Sequence, residues 1–131
     1  MAYLADTNII IYARDGHETV LEKFFEYSGQ VFVSAISLAE LQRGLNLAQT
    51  EVALRRERHN VLLQSISVLA FDTNAALAYG RVTAQCGRVK SRDIDNMIAA
   101  HALSTGTTLV TNNIADFAGI AGLSLENWAD A

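Results

Sequence analysis

Short apolar runs alternate along the chain with longer stretches of helical period. Tyr3-Leu4-Ala5 reads as a buried strand, followed by helix through about Arg14. Residues 17–27 keep Val20, Leu21, Phe24 and Phe25 on one helical side. Val31-Phe32-Val33 predicts a second strand, and helices follow over about 36–47 and 51–64. Val68-Leu69-Ala70-Phe71 predicts a third strand, with helix onward to Cys86. An Ala-rich helix is expected over 94–104, then a fourth strand at Thr108-Leu109-Val110 and a fifth at Leu123-Ser124-Leu125. This alternation predicts an α/β fold: a parallel sheet of four to five strands covered by helices on both faces. Ligands in such folds bind beyond the carboxyl ends of the strands, so acids just after strands deserve scrutiny.

Composition narrows the class without changing that picture. The 131 residues suit one domain, half of them are hydrophobic, and with no Pro and eight scattered Gly no stretch reads as a linker. Cys86 is the only cysteine, so no disulfide framework is expected. No leader pattern and no apolar run of membrane length is visible, and the expectation is a cytoplasmic protein with no membrane association. The net charge of −4 argues against a broad nucleic-acid surface. Yet Arg81, Arg88, Lys90 and Arg92 cluster with no acid among them, as either a solvated loop or a local phosphate contact.

Each candidate acid has a structural alternative. Asp6-Thr7-Asn8 follows the first strand, where Asp6 either holds a metal or caps the next helix. Asp72-Thr73-Asn74 follows the third strand in the same way and serves as an internal control. Glu40 closes Ser37-Leu38-Ala39-Glu40, a capping-box pattern in which its carboxylate reaches back to Ser37, or else it projects toward Asp6. Asp93 and Asp95 open the Ala-rich helix, where acids complement the helix dipole. Asp116 lies in the loop after the fourth strand. Two carboxylates about 5 Å apart repel by roughly 3 kcal/mol at an effective dielectric of about 20, so a cluster of four calls for a hard cation. His17, His59 and His101 lack zinc-ligand spacing, and His101 is read as packed on its helix.

Five segments then carry a resemblance: Leu4-Ala5-Asp6-Thr7-Asn8, the run from Val33 to Leu41, the run from Asp95 to Ala102, Leu109-Val110-Thr111-Asn112-Asn113, and the run from Gly122 to Trp128. In order and spacing they resemble the PIN-domain ribonucleases, specifically VapC-type toxins of bacterial toxin–antitoxin pairs. The resemblance implies an α/β/α sandwich, a homodimer, a VapB-like antitoxin as partner, an RNA substrate, and Mg²⁺ (or Mn²⁺) held by carboxylates. Matched to the family pattern, the acids fall on Asp6, Glu40, Asp95 and Asp116. Asp72 matches no family acid and is left to capping. Some relatives carry their fourth acid where this chain has Asn113, and Asp93 stands as a rival or extra ligand beside Asp95. Thr7 is expected to orient Asp6 or a metal-bound water, and Asn112 to do the same near Asp116. Arg88, Lys90 and Arg92 would neutralise RNA phosphates. The reaction implied is hydrolysis by an activated water, leaving a 5′-phosphate and a 3′-hydroxyl.

Two other readings compete with it. One is phosphoryl transfer through Asp6 as nucleophile, although Asn8 stands where many such enzymes have a second Asp. The other is a binding module that keeps the fold without the chemistry.

Overall fold

The computed structural model describes residues 1–130. Five strands, β1 (Tyr3–Ala5), β2 (Val31–Ser34), β3 (Ser67–Leu69), β4 (Thr108–Val110) and β5 (Leu125–Glu126), form one parallel sheet in the order β3-β2-β1-β4-β5. The helices are α1 (Thr7–Arg14), α2 (Glu18–Glu26), α3 (Ala35–Leu47), α4 (Val52–Leu63), α5 (Thr73–Cys86), α6 (Asp93–Thr105) and α7 (Ile114–Phe117).

The strands are apolar on both faces because both faces are covered. Tyr3, Ala5, Val31, Val33 and Val110 turn to one side and pack with Ile9 and Ile10 of α1, Val20 of α2, Leu41 of α3 and Leu62 of α4. Leu4 and Leu109 turn to the other and meet Ala78 and Val82 of α5, Ile98 to Ala100 of α6, and Phe117 of α7. The alternation within each strand divides the core into these two layers. The small residues of α6 let it lie close against the sheet, and Gly106, at φ 67°, ends that helix in the left-handed conformation that turns the chain into β4.

The strand order places the site. From β1 the chain moves outward through β2 to β3, then returns across the sheet to lay β4 on the other side of β1. The carboxyl ends of β1 and β4 therefore flank the point where the winding reverses, and a crevice forms at such a point. The Asp6 amide still donates to the Val110 carbonyl there, at 2.9 Å.

Three elements differ from the sequence expectation. The fifth strand begins at Leu125 rather than Leu123, and α7 is a single turn too short to show a period. The basic segment contains a 3₁₀ turn, Lys90–Arg92, in place of an open loop.

Candidate active site

Asp6 is the first residue beyond β1 and only 7% exposed. It caps α1: Oδ1 accepts from the Ile9 amide at 2.9 Å. Asp72 caps α5 in the same way, accepting from Ala75 at 3.0 Å, but it stands exposed at the end of the edge strand β3. The two triplets share a local role and differ in burial. Burial pushes the Asp6 carboxyl above its usual range, against hydrogen bonds from the Thr111 hydroxyl and the Ile9 amide; the charges of Asp95 and Glu40 push it up further. Capping leaves Asp6 available to its acidic neighbours.

Glu40 reaches the same crevice from α3. The helix does not start at a capping box. Its N-cap is Ser34, whose Oγ accepts from the Ile36 amide, so Ser37 lies inside the first turn, buried, with its hydroxyl unpartnered. Glu40 is thereby free of Ser37, and its Oε1 accepts a hydrogen bond from the Thr7 hydroxyl. Thr7 thus holds Glu40 rather than Asp6, contrary to the expectation from sequence.

Asp95 and Asp116 are joined through Arg92. The guanidinium lies 3.9 Å from Oδ2 of Asp95 and 3.7 Å from Oδ2 of Asp116, and donates to the Asp116 carbonyl at 2.8 Å. It also stacks over the Phe117 ring. Burial raises the Asp95 carboxyl above its usual range; Arg92 counters this and the charge of Asp116 adds to it. Asp93 is tied elsewhere. It accepts from Arg88 at 2.8 Å and from the Tyr79 hydroxyl at 3.0 Å, and the Arg88 partnership holds its carboxyl low. Of the three cations expected to meet phosphate, Arg88 and Arg92 are therefore engaged with acids, and Lys90 alone has no ion-pair partner among the described residues.

Asn112 also departs from its expected place: its amide donates to the Tyr12 hydroxyl at 3.2 Å. The residue placed to support an acid is Thr111, fully buried, whose hydroxyl helps hold the Asp6 carboxyl down against burial and accepts from the Asn113 amide at 3.1 Å. The register could have revealed it. Ala5 pairs with Val110, so the next residues, Asp6 and Thr111, face one another across the crevice. His101 is a packed residue, as read from the sequence. Its Nδ1 meets Ser34 Oγ at 2.8 Å, Phe71 lies edge-on to its ring, and burial lowers its pKa.

The donor set is all carboxylate oxygen, the chemistry of a hard divalent cation. Asp6 and Glu40 have no ion-pair partner among the described residues, which leaves their charge uncompensated. Among those residues no three acidic, histidine or cysteine side chains are already drawn into a closed metal cage. The four acids fit such a cation by chemistry and charge.

Away from this site, α2 and α4 border an apolar groove of about 650 Å³ whose lining includes Leu21, Leu54, Val61 and Leu62. Phe25, on the same helix as Leu21, is 84% exposed. No helix among the described residues is long and apolar enough to cross a membrane.

Comparison with known proteins gives a consistent picture. A family model described as PIN domain matches residues 3–123. Ribonuclease VapC2 of Rickettsia felis is 32% identical over 134 residues, covering 98% of each chain. The tRNA(fMet)-specific endonuclease VapC of Salmonella typhimurium is likewise 32% identical, over 136 residues and 98% of each chain. The crystal structure of DNA-bound VapBC from Salmonella typhimurium superimposes with a TM-score of 0.88 at 29% identity over 98% of each chain. VapBC2 from Rickettsia felis, bound to a DNA fragment from its promoter, gives 0.86 at 30% identity, covering 98% of this chain and 99% of that one.

Proposed function

From the premise that this chain belongs to the PIN-domain family, we propose that it is a Mg²⁺-dependent endoribonuclease, a VapC-type toxin held inactive by an antitoxin. What supports the chemistry is the chain of charge coupling beside the ends of β1 and β4: Asp6 feels Glu40 and Asp95, and Asp95 feels Asp116. Mg²⁺ (or Mn²⁺) bound by these oxygens would acidify a coordinated water and offset charge on the phosphodiester.

The chain's own residues prepare that site. The Ile9 amide and the Thr111 hydroxyl fix Asp6, the Thr7 hydroxyl fixes Glu40, and Arg92 holds Asp116 beside Asp95. Such support of a ligand residue sharpens both metal affinity and rate. Lys90, exposed, without an ion-pair partner among the described residues and two positions before Arg92, supplies a phosphate contact. The apolar groove bordered by α2 and α4 is the surface we assign to the antitoxin, since exposed apolar area of this kind marks a partner.

The test is Asp6→Asn in purified protein with Mg²⁺ and an RNA pool. Asn still caps α1, so the fold should persist while cleavage is lost. Cleavage by the variant at the parent rate, or cleavage by the parent in excess EDTA, would remove the assignment. A trapped acyl-phosphate on Asp6 would favour phosphoryl transfer instead.

A further inference from the structure

Beside the acids, a cavity of about 200 Å³ opens against α6 and α7. Arg92 and Asp116 form the wall it shares with the acidic crevice, while Val89, Gly119 and Ile120 line its other sides. Asn96, the residue after Asp95, also lines it although only 5% of the residue is exposed. Its side chain makes no hydrogen bond to another described residue, yet it is not among the fully sealed unpartnered atoms, so what access it has is through the cavity. An occupant of the cavity that pairs with this amide directly would take the place of solvent there.

An amide presents a donor and an acceptor side by side, the pattern that pairs with the edge of a nucleobase. Bases of single-stranded RNA are read in this way, splayed out of the strand into apolar pockets with a polar edge contact. Gly119 leaves the room: a Cβ added there would meet nothing within 4 Å. Gln85 braces that wall, reaching the Gly119 carbonyl and the Ala121 amide.

We propose that this cavity receives one RNA base adjoining the scissile phosphate, and that Asn96 reads that base's hydrogen-bonding edge. The inference rests on the ribonuclease assignment above and names the residue that sets its base preference. Asn96 touches the substrate but not the reacting atoms.

Cleavage sites are mapped on unstructured RNA oligonucleotides of random sequence, with Mg²⁺, for the parent, Asn96→Leu and Gly119→Leu. Thermal melts establish that the variants fold. The parent should favour one base beside the cut, and each variant should lose that preference by about ten-fold. An unchanged preference in the folded variants, or none in the parent, overturns the proposal. Alkylation of Cys86, the only cysteine and exposed at the cavity's rim, gives a second readout in the parent protein. The four ribonucleoside monophosphates should slow it to different extents, and equal or absent protection overturns the base pocket. A parent that protects Cys86 selectively but cuts no RNA would instead sink the ribonuclease reading and leave the pocket standing.

Discussion

The Thr7 hydroxyl donates a hydrogen bond to Oε1 of Glu40 and so ties the first turn of α1 to the second turn of α3. Thr7→Val keeps the branched shape and removes only the donor. Loss of such a supporting contact lowers metal affinity or activity by about ten- to a hundred-fold. We expect that loss in cleavage rate with the melting temperature little changed, and recovery in Thr7→Ser. A Thr7→Val protein that cleaves like the parent would mean that Glu40 is held by other means.

Acidity offers an independent handle. Burial raises both Asp6 and Asp95, so each becomes charged at a higher pH than a free carboxylate. Protons and Mg²⁺ compete for the same oxygens, so Mg²⁺ binding should strengthen with pH along a limb lying above the ordinary carboxylate range. For stability the sign is opposite. Between the unfolded and folded pKa values the native state binds more protons, so metal-free stability falls as pH rises through that window. Asp6→Asn removes this cost above the window and keeps the cap, so without metal it should melt no lower than the parent at neutral pH. Asp116→Asn should shift the Asp95 limb downward, and Arg92→Met should shift it upward. Calorimetric Mg²⁺ titrations across pH and melts in EDTA measure these shifts, and an acid limb unmoved in both variants would separate Asp95 from them.

The basic segment separates by partner. Lys90→Gln should reduce the salt dependence of RNA binding, lowering the slope of log K against log salt by about 0.7, the value for one contact to a single strand. Arg88→Gln should leave that slope nearly unchanged and lower the melting temperature instead, because Arg88 holds Asp93 at the start of α6. Anisotropy titrations over a range of salt, in the cleavage-deficient Asp6→Asn background, distinguish the two. A slope altered equally by both substitutions would contradict the partition.

Legibility in the sequence followed how local the deciding interaction is. β1 and β4 occupy residues 3–5 and 108–110, as their apolar runs predict, because every position in them is buried and none is charged. Asp6 and Asp72 sit in identical Asp-Thr-Asn triplets, and what separates them is strand order: β1 is central, β3 is an edge. No window around either residue contains that fact. The capping-box pattern at Ser37 misled for a related reason. Ser34 caps the helix three residues earlier, and its hydroxyl also meets His101, 67 positions away. The arginines of the basic segment were visible as charges, but the 3₁₀ turn that brings Arg92 between Asp95 and Asp116 was not.

The sheet order also sets a timetable. Asp6 and Glu40 leave the ribosome first, Asp95 follows, and Asp116 comes last of the four, just after the strand that inserts beside β1. A partly made chain thus carries half the acids and no crevice to gather them. A crevice that gathers all four acids therefore forms only once β4 has paired with β1, so the site is a product of long-range folding and not of any one segment.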